Sequence, residues 1–170
     1  MNELEEVINE GCDYVQFDEP VWTENVDETI WAAEILNEII DKFPNVDFNL
    51  HVCGGNAHRK RGFFGKYTDM VEAFKILKVN EIHLEHCSLH YSMLDVFKSW
   101  NFDGRISLGV IDQRIDNIET EEDISNAIKP ALEYFPKDYN ILLNEIETSK
   151  ENCAVYGSRV LKKNNVNNVQ

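Results

Sequence analysis

The sequence predicts an α/β fold in which about five parallel strands alternate with helices. Three observations carry the prediction. Short segments rich in β-branched and aromatic residues recur along the chain, stretches with helical apolar spacing lie between them, and polar residues cluster where the strand-like segments end.

Residues 2–10 read as the end of a helix, stopped by Gly11. Asp13 to Phe17 reads as a strand running into Asp18-Glu19-Pro20, where Pro20 cannot donate to a ladder. From Asp27 to Lys42 the residues Ile30, Trp31, Ile35, Leu36, Ile39 and Ile40 repeat at helical spacing, and Asp27 is placed to cap them. A strand over 46–53 leads into a loop over 54–66 that carries the basic cluster His58-Arg59-Lys60-Arg61. A short helix over 68–77, capped by Thr68 or Asp69, precedes a strand over 81–85. A helix over 92–100 and a strand over 105–111 follow. Thr120 opens a helix to Tyr134, with Glu122 and Asp123 in the first turn, where the helix dipole favours acids. Asn140 to Asn144 is a fifth strand. Beyond it the chain turns polar, residues 153–163 have room for a last helix, and the asparagine-rich end, 164–170, is expected to be disordered.

Composition narrows the classes of function. The 170 residues suffice for one domain with a core, and 43% of them are hydrophobic. The net charge of -15 repels phosphate backbones and anionic lipid, so neither nucleic acid nor a membrane surface is an expected partner. No apolar run has the length of a membrane span, and the first residues do not form a signal peptide. The cysteines, Cys12, Cys53, Cys87 and Cys153, are too sparse for a disulfide scaffold, and reduced thiols suit a cytoplasmic protein.

Two architectures accommodate such an alternation, an open doubly wound sheet and a (β/α)8 barrel. No Gly-x-Gly-x-x-Gly follows any strand, which leaves a dinucleotide-binding sheet without support. A complete barrel takes about 250 residues, so the chain has room for only part of one. An open half-barrel has unpaired strand edges, which makes a second copy or a complementary barrel half an expected partner.

In both architectures the chemistry gathers at the C-terminal ends of the strands. Those ends carry Asp18 and Glu19, His51 and Cys53, Glu85, His86 and Cys87, Asp112, and Asn144. His51 and Cys53 are two apart on one strand and share a face, so an imidazole and a thiolate stand together at the mouth of Gly54-Gly55. Nitrogen, sulfur and a carboxylate oxygen make a coherent zinc donor set. Zinc with an exchangeable position deprotonates a substrate thiol, while Asp18 on the neighbouring strand suits an ammonium group. An amino-acid thiol such as homocysteine satisfies both. His86 should face away from Glu85, Cys87 shares the side of Glu85, His83 reads as core, and His58 and His90 read as loop residues.

Four segments resemble the catalytic C-terminal barrel of cobalamin-independent methionine synthase, within the wider group that includes uroporphyrinogen decarboxylase. They are Gly11-Cys12-Asp13-Tyr14-Val15-Gln16-Phe17-Asp18-Glu19-Pro20, His51-Val52-Cys53-Gly54-Gly55-Asn56, Ile82-His83-Leu84-Glu85, and Leu108-Gly109-Val110-Ile111-Asp112 with Glu119-Thr120-Glu121-Glu122. Their order matches over about residues 1–144, the second half of the family's barrel, with 145–163 as a divergent last segment. The resemblance implies a partial TIM-type barrel. It implies that His51, Cys53 and Glu85 bind zinc and that Asp18 binds the amino group of homocysteine. It further implies a methyltetrahydropteroyltriglutamate-homocysteine S-methyltransferase of methionine biosynthesis, which moves a methyl group from a methyltetrahydrofolate-type donor to a zinc-bound thiolate. Relatives use other thiols or corrinoid methyl donors.

The chain departs from the family at three places. The family's last cysteine ligand belongs to an Asn-Pro-Asp-Cys-Gly motif, whereas Asn144 is followed by Glu145-Ile146-Glu147, leaving Cys153, Glu147 or Cys87 for the fourth ligand, with Cys153 the first choice. A histidine that the methionine synthases carry after the Gly-Val-x-Asp strand is Arg114 here. The first half of the barrel is not in the sequence, and the 54–66 loop is long, with Arg59, Lys60 and Arg61 read as a solvated cluster or an attractor for a polyglutamate tail. A truncated barrel that binds zinc or a partner without turnover is the competing expectation.

Overall fold

In the computed structural model, residues 2–55, 58–90, 92–112, 114–116, 118–134 and 141–145 are described. Five strands form one sheet: β1 (Tyr14–Asp18), β2 (Asp47–Val52), β3 (Glu81–Glu85), β4 (Arg105–Ile111) and β5 (Ile141–Glu145). Every neighbouring pair is parallel, and the spatial order is the chain order. A doubly wound sheet reverses direction part-way. Here each crossover steps to the same side, and the right-handed rule then keeps all connecting helices on one face. That is the winding of a β/α barrel, so the fold is a partial TIM-type barrel.

The alternation of side chains along each strand builds the core. Phe48, Leu50 and Val52 of β2, Ile82 and Leu84 of β3, and Ile106, Leu108 and Val110 of β4 are buried against the helices. α2 (Thr29–Ile40) contributes Ala33, Leu36 and Ile40, and α3 (Val71–Ile76) contributes Val71, Ala73 and Phe74. Phe17 of β1 stacks on Phe48 at 5.5 Å, and Phe74 stacks on Trp100 at 5.2 Å. His86 lies on this apolar side, fully buried, with Nε2 2.6 Å from the Ala127 carbonyl. Burial holds its pKa below the ordinary imidazole value.

The helix boundaries follow local chemistry. α1 (Asn2–Asn9) ends at Gly11, whose φ of +101° lets the Gly11 and Cys12 amides turn back to the carbonyls of Ile8 and Val7. Asp27 does not cap α2. It sits in a 3₁₀ turn, Val26–Glu28, which places the helix start at Thr29, and the Thr29 hydroxyl donates to the Val26 carbonyl at 2.7 Å. Neither Thr68 nor Asp69 caps α3. The chain enters through a 3₁₀ turn, Tyr67–Met70, anchored by the buried Tyr67. Residues Ser92–Lys98 wind as 3₁₀ rather than α. Thr120 caps α4 (Glu121–Ile128) as expected: its hydroxyl accepts from the Asp123 amide at 3.2 Å, and the Asp123 carboxylate accepts from the Thr120 amide at 2.8 Å. α4 stops six residues before Tyr134. Pro130 has no N–H for the next helical bond, and a 3₁₀ turn, Lys129–Glu133, takes over.

Candidate active site

The other face of the sheet is polar. Tyr14, Gln16 and Asp18 of β1, Asp47, Asn49 and His51 of β2, Glu81, His83 and Glu85 of β3, and Arg105 and Ser107 of β4 alternate with the core residues and therefore share it. In a barrel this face is the interior. Toward the N-terminal ends of the strands its charges are matched. Arg105 reaches across two strands, with Nη2 2.6 Å from Asp47 Oδ1 and Nε 3.0 Å from Glu81 Oε2. His83 Nε2 stands 2.9 Å from Glu81 Oε1. Burial pushes the Glu81 carboxyl up, but His83 and Arg105 outweigh it and hold the group below its ordinary value. Burial, reinforced by the Glu81 charge, pushes the Tyr14 phenol up to about 12.

Toward the C-terminal ends the expected site residues assemble by register. Asp18 lies opposite His51, and His51 opposite His83, whose ring is centred 6.3 Å away. The Glu19 amide donates to the His51 carbonyl at 2.8 Å, continuing the β1–β2 pairing past Asp18. Gln16 Nε2 donates to Asp18 Oδ1 at 2.8 Å, which orients the carboxylate on the shared face. Burial and the Asp18 charge both raise the Glu19 carboxyl above its ordinary value.

Cys53 and Glu85 meet at the turn after β2. The Gly55 amide lies 3.4 Å from Cys53 Sγ, and the Gly54 amide donates to Glu85 Oε1 at 3.3 Å. Both side chains are buried. Tyr67 pins this corner: its hydroxyl donates to the Val52 carbonyl at 2.8 Å and accepts from the Glu85 amide at 3.1 Å. Burial pushes its phenol up, which keeps it a proton donor. Thr23, also buried, donates from its hydroxyl toward the Pro20 and Cys53 carbonyls, each at 2.9 Å. The long loop after Cys53 folds back on itself, with the amides of Gly62 and Phe63 bonded to the Gly54 carbonyl and the Gly65 amide to the Thr23 carbonyl.

Two arginines, absent from the expected site, complete it. Arg114 Nη2 donates to Glu85 Oε1 at 2.6 Å and to the Gly55 carbonyl at 3.1 Å. Arg61 Nε lies 3.6 Å from Glu85 Oε2. Arg61 is 14% exposed along its side chain, so it is not a solvated loop cation; Arg59 is, paired with the open Asp116 at 2.7 Å. A signal for Arg114 was present in its position just beyond a strand end, where a cation beside buried carboxylates gains a partner. Arg61 had none, because its contact depends on how the long loop folds.

The donor types of His51, Cys53 and Glu85 suit zinc: His51 is on β2, Cys53 in the turn just after it, and Glu85 at the end of the neighbouring β3. Among the described residues no three His, Cys, Asp or Glu side chains converge on a point that would hold a metal, and Glu85 is engaged by Arg61 and Arg114. Glu147, Cys153, the 153–163 helix and the 164–170 tail lie outside the described residues, as does the side chain of Cys87.

Consecutive parallel strands with ionisable residues crowded at their C-terminal ends are the rim at which a β/α barrel carries its site. Residues 1–144 match the family described as the cobalamin-independent synthase, catalytic domain, and the chain belongs to that family. It is 26% identical over 169 residues to the methionine synthase of Saccharolobus solfataricus, covering 94% of this chain and 48% of that protein. It is 33% identical over 134 residues to the methionine synthase of Sulfurisphaera tokodaii, covering 79% of this chain and 36% of the relative. The fold is similar to that of a B12-independent methionine synthase from Shewanella sp. W3-18-1, solved in complex with selenomethionine, with a TM-score of 0.70 and 21% identity over 95% of this chain and 52% of that one. The chain thus spans about half the length of the relatives it matches. No described helix is long and apolar enough to cross a membrane.

Proposed function

We propose that the chain carries the metal-binding half of a cytoplasmic barrel that methylates a thiol in methionine biosynthesis, with homocysteine as acceptor and a methyltetrahydrofolate-type donor. The observation that supports it most is that His51 and Glu85 belong to the polar face near the C-terminal ends of two adjacent strands, with Cys53 in the turn directly after the first, within a chain of this family. His51, Cys53 and Glu85 are the ligands in this reading, and Cys153 is the fourth, with Glu147 or Cys87 as its substitutes. Zinc, when bound, lowers the pKa of a coordinated substrate thiol so that the thiolate is present at neutral pH. Asp18 receives the substrate ammonium: it lies one strand away from His51 and is already oriented by Gln16. The buried corner made by Tyr67, Val52 and Glu85 keeps water from the ligand side of the site.

Zinc analysis of the purified chain tests the reading. The expected result is about one equivalent, falling below about a tenth of one in His51→Ala and Cys53→Ala, since a tetrahedral site loses most of its affinity with a ligand. Less than about a tenth of an equivalent in the unaltered chain overturns it. The half-length coverage of the relatives favours a second reading, in which the chain binds zinc or a partner without turnover. A methyl-transfer assay with homocysteine separates the two: measurable product from this chain alone removes the second.

A further inference from the structure

Glu85 is 2% exposed, and both of its carboxylate oxygens are engaged. A carboxylate offers about four lone-pair directions. On Oε1 the partners are Arg114 Nη2 at 2.6 Å and the Gly54 amide at 3.3 Å; on Oε2 they are Ser88 Oγ at 3.4 Å and Arg61 Nε at 3.6 Å. The two guanidinium groups arrive from different loops. Arg114 follows β4 and ties Glu85 to the Gly55 carbonyl. Arg61 comes from the long loop and lies directly over Gly54, where a Cβ would fall 1.9 Å from its Nε.

Neither arginine is placed to satisfy itself. Arg61 Nε and Nη2 and Arg114 Nε and Nη1 are buried without a hydrogen-bond acceptor among the described residues, so Arg61 meets Glu85 through charge rather than a hydrogen bond. Unmet buried donors cost free energy. What both groups have in common is the charge of Glu85, which they neutralise from both sides.

We infer that Arg114 and Arg61 form a guanidinium clamp that competes with a divalent cation for the Glu85 carboxylate and so sets the metal affinity of the site. The inference rests on the reading of Glu85 as a metal ligand. A cation at Glu85 competes with the hydrogen-bond donors Arg114, Gly54 and Ser88, and it is repelled by both guanidinium groups until they withdraw. Arg114 makes the shortest contact and is the main competitor; Arg61, at a longer distance, is the lesser one.

The test is calorimetric titration of the full chain with zinc chloride in the presence of a competing chelator. Arg114→Gln should tighten zinc binding by about tenfold, the scale of one charge-assisted hydrogen bond removed from a competitor, and Arg61→Gln by about threefold. In a Glu85→Gln background neither substitution should alter the affinity, which separates competition for this carboxylate from a general effect on the loop. If Arg114→Gln does not give a folded protein by circular dichroism, the Arg61→Gln result decides. Unchanged or weakened zinc affinity in the folded variants, with zinc still bound by the unaltered chain through His51 and Cys53, overturns the clamp alone. A gain that persists in the Glu85→Gln background also overturns it. Zinc that binds neither the unaltered chain nor any variant overturns the metal reading and the clamp together.

Discussion

The two faces of this sheet are made by the same strands and differ in every physical respect. One face presents Phe48, Leu50, Val52, Ile82, Leu84, Ile106 and Leu108 to the helices, with almost no solvent exposure. The other presents carboxylates, imidazoles, two amides and a guanidinium, several of them equally buried. Burial is cheap on the first face because nothing there needs a partner. On the second it is tolerated only through pairing: Glu81, fully buried, is held by Arg105 and accompanied by His83. The first face carries stability without chemistry. The second has groups whose charge must be managed, and managed charge is what a binding site consists of.

Substitutions can break that contrast. The largest effect is expected on the apolar side. Phe48→Ala removes a fully buried ring stacked on Phe17 and should lower unfolding free energy by about 3–5 kcal/mol, read from the urea midpoint. Comparable loss in His51→Ala, a half-buried side chain on the polar face, would erase the distinction between the faces.

An intermediate effect is expected from Arg105→Ala. It leaves Glu81 buried with one cation fewer; because Arg105 is 30% exposed along its side chain, the loss should be about 1–3 kcal/mol rather than the full value for a buried pair. The acid limb of the stability curve sharpens this test. The Glu81 carboxyl is held below its ordinary value of 4.5 in the folded chain, so it contributes stability that is fully present above pH 4.5 and is lost as pH falls through the lower folded value. Urea titrations across that window should show the loss in the unaltered chain and a smaller one in Glu81→Gln. An equal slope in both proteins would show that Glu81 is not the group responsible.

The smallest effect is local to one helix. Thr120→Ala removes the side-chain half of the capping box of α4, leaving the backbone amide of residue 120 bonded to Asp123, and should cost about 1 kcal/mol, whereas Asp27→Ala, which caps nothing, should be close to neutral. Equal effects in thermal melts would contradict the assignment of caps.

The strands were the most legible part of the sequence. β3 and β4 match their expected spans residue for residue, because a five- to seven-residue apolar alternation between turn signals has few other solutions. Helix starts were less so. Asp27, Thr68 and Asp69 have the right chemistry for caps, yet the chain entered those helices through 3₁₀ turns set by packing, as the buried Tyr67 shows. At the candidate site the shared face of Asp18, His51 and Glu85 followed from strand period alone. The engagement of Glu85 by Arg61 and Arg114 did not. Those contacts join residues 24 and 29 positions apart through loops, and no local periodicity encodes them.

The identity of chain order and spatial order has a consequence for how the molecule is made. Each strand after β1, as it leaves the ribosome, has a hydrogen-bonding neighbour already synthesised, and no earlier strand waits for a later one to be inserted between it and its partner. Strand order therefore permits the sheet to grow in the direction of synthesis, with every addition extending a template that is already in place.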